Sequence, residues 1–354
     1  MMPAIGAPVA RQRRHEDIRQ VAAAFSGPMG DVMTKVGVIG AGAVGSAALL
    51  SLVVRGSARK IVVLNRTRKR ASAVATDLRY GAALSPVVDV HDGDYPDLAG
   101  ASLVMISAGV NEKAGGATDR KDATGRLKLL DMNVGVYRDI LPRLLTVAPE
   151  AVILILTDPP DPLADLVRSS GFAHVLSSGT FLDSLRFRYH LARRLDVAPA
   201  SVNADVLGEH GTSEVFIWSS ARVAGVPVLA AAQEASRSRS DVQQSAAELR
   251  ASIEQEVRYA NITIIEGNEA SQFGIGMVAA RIAEMVLRDE RTVIPIGSYN
   301  PRYGVTLSVP SVVGRQGVVE ILEPDISGEE REGLQRSAET LRKAVARIGA
   351  RKEE

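Results

Sequence analysis

The chain has 354 residues, enough for two domains of ordinary size, and 46% are hydrophobic, which allows a large core and argues against global disorder. A formal net charge of +1 gives no bulk attraction to nucleic acid or to an anionic membrane, and no purely aliphatic run is longer than 151–156, far too short to span a bilayer. The absence of cysteine excludes disulfides, thiolate nucleophiles and Cys-ligated zinc, and no metal site is expected.

Residues 1–32 are rich in Ala, Arg, Gly and Pro, with a basic cluster at Arg11, Arg13 and Arg14. A targeting peptide, an arm that packs on another subunit and a plain tail all fit this composition. The tail is the reading preferred, an extension without regular structure, because Met33 leads directly into the first strand. With no secretory hydrophobic region, a cytoplasmic location is expected.

Lys35–Ile39 is a short β-branched run that stops at glycine, which predicts a strand. Residues 43–54 are small and apolar, as in a helix packed tightly on a sheet. Lys60–Leu64 predicts a second strand and 67–80 a helix. Further strands are expected at 87–90, 103–107 and 151–157, with a long helix at 127–147 interrupted or ended near Pro142. This alternation predicts an α/β domain over 33–177, a doubly wound parallel sheet covered on both faces. Beyond it, helices at 182–195, 232–261 and 271–289 mix with strands at 292–299, 305–309 and Gly317–Ile321, and Gly328–Ala350 reads as a closing amphipathic helix. Antiparallel pairing is expected there, giving an α+β domain over 178–350.

Between the first strand and the first helix, Gly40, Gly42 and Gly45 fit the dinucleotide fingerprint, with Ala43 and Val44 completing the turn. The first glycine permits the tight turn, the second lets backbone approach a pyrophosphate, and the third lets the helix pack on the strand. The helix N-terminus then offers free amides to phosphate. These features identify the parallel half as a Rossmann domain. At the end of the second strand, an Asp or Glu would accept from the adenosine ribose of NAD. The chain has Asn65, Arg66, Thr67 and Arg68 instead. No carboxylate repels a 2′-phosphate and two guanidinium groups could bind it, so NADP is expected ahead of NAD. The Asn-Arg-Thr triplet resembles the NADP-binding turn of shikimate dehydrogenases.

Asp183 and Arg186 stand three residues apart on one predicted helix, and His210 lies in Gly-Glu-His-Gly at 208–211. A carboxylate can hold a histidine in one tautomer and stabilise its charged form. An arginine can grip a substrate carboxylate with two parallel hydrogen bonds. Together they read as a proton donor beside an anion anchor.

From Lys35 to about Val345 the chain resembles the L-lactate/malate dehydrogenase family. The resemblance is carried by Gly40 to Gly45, by Ser107, Ala108 and Gly109, by 157–161, 182–188 and 208–211, and by Ser308, Val309 and Pro310. It implies hydride transfer between NAD(P) and a small L-2-hydroxy acid or 2-oxo acid, in a homodimer or homotetramer. It implies that His210 exchanges a proton with the substrate oxygen, that Asp183 orients His210, and that Arg186 binds the substrate carboxylate. Arg126 matches a loop arginine that polarises the carbonyl. Ser271 replaces a threonine near the nicotinamide and substrate, and Ser107, Ala108, Gly109 and Thr157 line the cofactor.

Two departures bear on the substrate. Asp158 stands where the family has an asparagine that donates near the reacting oxygen. An ionised Asp158 cannot donate, so it is protonated, or it pairs with a cation, or the substrate differs. The loop at 111–126 is about eight residues longer on one alignment, which puts Glu112 at the specificity position. Counting back from Arg126 puts Arg120 there, which would read a second carboxylate. Arg120, and with it malate/oxaloacetate, is preferred; lactate or another 2-hydroxy acid without a side-chain carboxylate is the alternative. Arg188 reads as structural. A nucleotide-binding protein without turnover is the reading from another class, motivated by Asp158. An NAD-dependent glycosidase would need metal-binding residues, typically Cys and His, and the chain has no cysteine.

Overall fold

The computed structural model describes residues 34–115, 118, 125–238 and 245–350, with backbone alone at 125–127, 235–238 and 350. The extension expected at 1–32 therefore lies outside the described residues, as does Arg120.

Six strands run parallel: β1 (Lys35–Ile39), β2 (Lys60–Leu64), β3 (Asp89–Asp92), β4 (Leu103–Ile106), β5 (Val152–Ile155) and β6 (Val175–Ser177). The helices among them are α1 (Ala43–Arg55), α2 (Arg68–Gly81), α3 (Gly125–Val147) and α4 (Pro160–Ser169). Helix α5 (Phe181–Leu195) follows β6, and then come the short strands β7 (Val202–Asn203), β8 (Val206–Leu207), β9 (Val215–Phe216), β10 (Arg222–Val223) and β11 (Val226–Pro227). Helices α6 (Val228–Ser238), α7 (Ala246–Arg258), α8 (Ala260–Asn268) and α9 (Phe273–Leu287) lead to the long antiparallel strands β12 (Thr292–Asn300), β13 (Val305–Gly314) and β14 (Gly317–Ile321), and α10 (Gly328–Ala350) closes the described fold.

Among the described residues the main sheet has the order β14-β13-β12-β6-β5-β4-β1-β2-β3. The boundary expected at 177/178 falls between β6 and α5, and the sheet runs through it, because Gly297 of β12 pairs with Ser177 of β6. Strand alternation assigns side chains to two cores. Val36, Val38, Ile61 and Val63 face α1 and α9, where Ala48, Leu49, Leu52, Ala279 and Ala283 are buried. Ile39, Val62, Leu64, Val104 and Ile106 face α3, where Leu130, Val134, Tyr137, Leu141 and Leu144 are buried. Each such large side chain contributes roughly 1.5–3 kcal/mol on burial. Glu284 of α9 accepts Arg55 bidentately at 2.8 and 2.6 Å, which ties α9 to the end of α1.

Three elements differ from expectation. Helix α3 continues through Pro142 to Val147. Proline removes one backbone bond, but Leu141 and Leu144 on either side are buried and hold both halves on the core. The single helix expected at 232–261 is several. Ser245 caps a new one, its side chain accepting from the Glu248 amide while Glu248 reaches back to the Ser245 amide. The third strand forms two residues later than expected, at Asp89–Asp92, where Val90 pairs with Ile61.

Candidate active site

The β1–α1 turn builds a phosphate cradle. Gly40 has φ 111°, and a Cβ there would stand 2.6 Å from the Ala108 amide nitrogen. At Gly42 a Cβ would meet nothing within 4 Å, so the backbone faces open space. Gly42 precedes α1, no side chain caps the helix, and its first turn carries no acidic residue. The amides of Ala43 and Val44 therefore open a helix whose positive end is left for an anion, which fits a pyrophosphate. Ser107 Oγ donates to the Gly40 carbonyl at 3.0 Å, and Thr157 Oγ1 donates to the Ala108 carbonyl at 2.9 Å. The 107–109 segment is thus locked between the cradle and β5.

Beside the cradle, a cleft of about 590 Å³ is lined by Gly40, Asn65, Arg66, Arg68, Asp94 and Tyr95, among others. Asn65 Oδ1 accepts from the Ala41 amide at 3.1 Å, and its Nδ2 donates to the Thr67 carbonyl at 3.3 Å. Thr67 precedes α2 without capping it through its side chain. Arg68, expected to face a 2′-phosphate, instead donates to Asp92 Oδ2 at 2.7 Å, and this pair holds Asp92 below the usual carboxylate range. Arg66 lines the same cleft and, like Arg68, is exposed. Arg70 was not anticipated; its Nε donates to the Ala41 carbonyl at 2.9 Å and steadies the glycine turn.

The second cluster forms where α5 meets the loop after β8. Asp183 is buried in the first turn of α5. His210 Nδ1 lies 2.6 Å from Asp183 Oδ2, and Arg186 Nη1 donates to Asp183 Oδ1 at 2.8 Å. Burial opposes ionisation of Asp183, but His210 and Arg186 outweigh it and hold the carboxyl down at about 2. Arg186 also reaches Ser271 Oγ at 3.4 Å, so three of the expected site residues and His210 converge. Arg188, on the same helix, instead donates to the Ala204 carbonyl at 2.8 Å and to Asp205 at 2.7 Å.

The histidine loop is fixed from three sides. Gly208 pairs with Ser308 of β13 through both backbone bonds, at 2.8 and 2.9 Å. The Glu209 amide donates to Ser337 Oγ of α10 at 2.8 Å. The His210 amide donates to Asp161 Oδ2 at 2.8 Å. Sequence reasoning assigned Asp161 no role; burial pushes its carboxyl up to about 6 against hydrogen bonds from Ser177 and the His210 amide. Asn133 was missed outright. Buried on α3, it accepts from the Val110 amide and donates to the Asp158 carbonyl, both at 2.7 Å. Glu214 was also missed: burial, then the charge of Asp183, pushes its carboxyl up to about 8, and its Oε1 has no hydrogen-bond partner.

Asp158 Oδ1 stands 4.0 Å from His210 Nε2, on the ring face opposite Asp183. Glu112 lies in the turn after β4, which Asn111 closes by accepting from the Ala114 amide at 2.8 Å. The backbone of Arg126 is in the first turn of α3, but its side chain lies outside the described residues. Chemically, the cluster offers a carboxylate-backed imidazole, with Asp158 near its Nε2, and a guanidinium partly committed to Asp183.

A glycine-lined phosphate cradle at the head of a parallel sheet, with such a histidine cluster contributed by the following segment, is the architecture of a nucleotide-dependent dehydrogenase. The chain belongs to the lactate/malate dehydrogenase family: the model of that family's NAD binding domain matches residues 34–174, and the model of its alpha/beta C-terminal domain matches 180–351. The L-lactate dehydrogenase of Deinococcus radiodurans is 41% identical over 316 residues, covering 89% of this chain and 99% of the relative. That of Thermus aquaticus is 42% identical over 322 residues with the same two coverages. A solved lactate dehydrogenase from a Medee basin deep-sea metagenome library superposes with a TM-score of 0.80 at 30% identity, covering 89% of this chain and 99% of its own.

Proposed function

We propose that the protein is an NAD-dependent L-2-hydroxy acid dehydrogenase that interconverts L-lactate and pyruvate. The observation that carries this reading is the Asp183–His210–Arg186 cluster, with His210 Nδ1 at 2.6 Å from Asp183 Oδ2 and Arg186 Nη1 at 2.8 Å from Asp183 Oδ1. Lactate replaces malate as the favoured substrate because relatives that span the whole fold are named L-lactate dehydrogenase. The malate expectation rested on Arg120, which lies outside the described residues. NAD replaces NADP because Arg68 is committed to Asp92 and the matching family domain is described as NAD binding.

In the direction of reduction, His210 gives its Nε2 proton to the pyruvate carbonyl oxygen, and in oxidation it takes that proton back. A nicotinamide cofactor held at the cradle of Gly40, Gly42 and Gly45 would supply or take up the hydride at the carbon that bears this oxygen. Asp183 fixes the imidazole tautomer and favours the imidazolium. Arg186 holds the substrate carboxylate: its guanidinium has five N–H donors, and Asp183 and Ser271 occupy only some of them. Ser271 orients Arg186, and Arg126 is assigned the polarising contact to the carbonyl. Gly40, Gly42, Ala43, Val44, Gly45, Ser107, Ala108, Gly109 and Thr157 hold the cofactor's diphosphate and nicotinamide ends; Asn65 and Arg66 meet its ribose.

Loss of reduced-cofactor absorbance with NADH and with NADPH, against pyruvate and oxaloacetate, tests the reading. Pyruvate with NADH should turn over fastest. Faster oxaloacetate would restore malate, faster NADPH would restore the 2′-phosphate role of Arg66, and inertness toward every 2-oxo acid would remove the dehydrogenase reading. Exposed Leu50 and Val54 on α1, and Phe273 and Met277 on α9, support a homo-oligomer, which light scattering of the purified protein checks. Among the described residues no single helix is long and apolar enough to cross a membrane.

A further inference from the structure

His210 carries a carboxylate at each ring nitrogen. Asp183 holds Nδ1 at 2.6 Å, and Asp158 Oδ1 lies 4.0 Å from Nε2, the nitrogen that faces substrate in the reading above. The Asp158 backbone is not free to swing away, since its carbonyl accepts from buried Asn133 at 2.7 Å. An amide at this position could donate to a substrate oxygen, whereas a carboxylate accepts. It therefore competes with the carbonyl oxygen for the Nε2 proton.

Other charged groups surround the ring. From α5 come Asp183 and Arg186, and from α4 Asp161, whose Oδ2 accepts from the His210 amide. The ring's own segment supplies Glu209, which accepts from Ser213, and Glu214, buried with Arg258 of α7 beside it. Of these carboxyl groups, Asp158 is the one placed at the reactive nitrogen. A negative charge at about 4 Å favours the protonated ring, and does so more strongly where water is partly excluded.

We propose that Asp158 is a positioning residue that holds the proton on His210 Nε2, carrying 2-oxo acid reduction to higher pH and confining 2-hydroxy acid oxidation to the alkaline side. The proposal rests on the assignment of His210 as the proton donor. Reduction needs the imidazolium and oxidation needs the neutral ring, so one charge moves both directions oppositely. The same charge repels the substrate carboxylate and raises KM for the 2-oxo acid.

The test is the titration of the His210 imidazole by NMR on histidine-labelled protein, assigned with His210→Gln, alongside pH profiles of kcat/KM. In Asp158→Asn the His210 midpoint should fall by about one pH unit. The descending limb of pyruvate reduction should fall with it, and lactate oxidation near neutral pH should rise several-fold. Asp158→Ser removes the same charge with a smaller side chain and should move the midpoint equally, while Asp158→Glu should keep it near the parent value. An unchanged midpoint in Asp158→Asn and Asp158→Ser would overturn the proposal. A fallen midpoint in a protein that reduces no 2-oxo acid would instead overturn the dehydrogenase assignment and leave the Asp158–His210 pairing standing.

Discussion

Gly45 packs onto the carbonyl oxygen of Gly40 so closely that a Cβ at Gly45 would stand 1.9 Å from it. Two positions earlier in the chain than α1's Val44, Gly42 meets nothing within 4 Å. The two glycines therefore fail differently. Gly45→Ala forces α1 away from β1 and should lower the melting temperature by several degrees, on the order of 1–3 kcal/mol of overpacking. Gly42→Ala should leave melting unchanged, because φ −77° and ψ −164° suit alanine, yet fill the space open to a pyrophosphate. Its affinity for NADH should fall at least tenfold in a fluorescence titration. Equal melting losses in both variants would count against the cradle.

Asp183 divides its oxygens between His210 and Arg186, and its carboxyl is held at about 2 against an ordinary 3.8. Asp183→Asn should lower kcat for pyruvate reduction by roughly 10²–10⁴, the scale of a mispositioned acid. NADH binding should survive, since none of the cradle contacts involves α5. The lowered carboxyl also contributes about 2 kcal/mol of stability above pH 4, lost as pH falls through 2. Asp183→Asn should therefore melt lower than the parent at pH 7, with the gap narrowing toward pH 2. A variant with full kcat would remove Asp183 from the mechanism.

These two clusters were legible in sequence for different reasons. The cradle is local: β1, its glycines and α1 follow one another, and period and glycine spacing suffice to find it. Asp183 and His210 are 27 residues apart; their side-chain chemistry suggested the pairing, and the family resemblance, not any local pattern, supplied their roles. Asn133, Asp161 and Glu214 escaped because each acts through tertiary burial, and an isolated Asn or acidic residue, on α3, on α4 or just before β9, carries no spacing signal. Ser245 and Glu248 did carry one, the Ser-x-x-Glu of a capping box, which would have divided the helix expected at 232–261. Arg68 shows the converse. A basic run at the end of β2 suggested an anion, but Asp92 on the neighbouring strand, 24 residues on, takes the charge.

That pairing bears on cofactor choice. Asn65 already accepts from the Ala41 amide through Oδ1, and an aspartate keeps an acceptor there while losing the donor to Thr67. Asn65→Asp should thus fold normally and place a carboxylate at the adenosine ribose. KM for NADPH should rise about tenfold or more by charge repulsion while KM for NADH stays level or falls. Equal effects on both cofactors would place the ribose elsewhere.

Glu214 links stability to pH in the opposite sense from Asp183. Its carboxyl is raised from 4.5 to about 8, chiefly by burial and then by Asp183, with Arg258, His210 and Arg186 opposing. Below pH 4.5 folded and unfolded chains both hold this proton, and the group imposes no penalty. Between 4.5 and 8 the unfolded chain releases it while the folded chain keeps it, so stability falls as pH rises, by roughly 1.4 kcal/mol per pH unit at most. Above 8 the loss is complete and the curve flattens. Glu214→Gln keeps the shape and removes the titration. By calorimetry the variant should match the parent near pH 5, melt progressively higher than it up to pH 8, and hold a constant lead beyond. Parallel melting curves across that range would mean that Glu214 is already ionised in the folded protein, stabilised by Arg258 in spite of its burial.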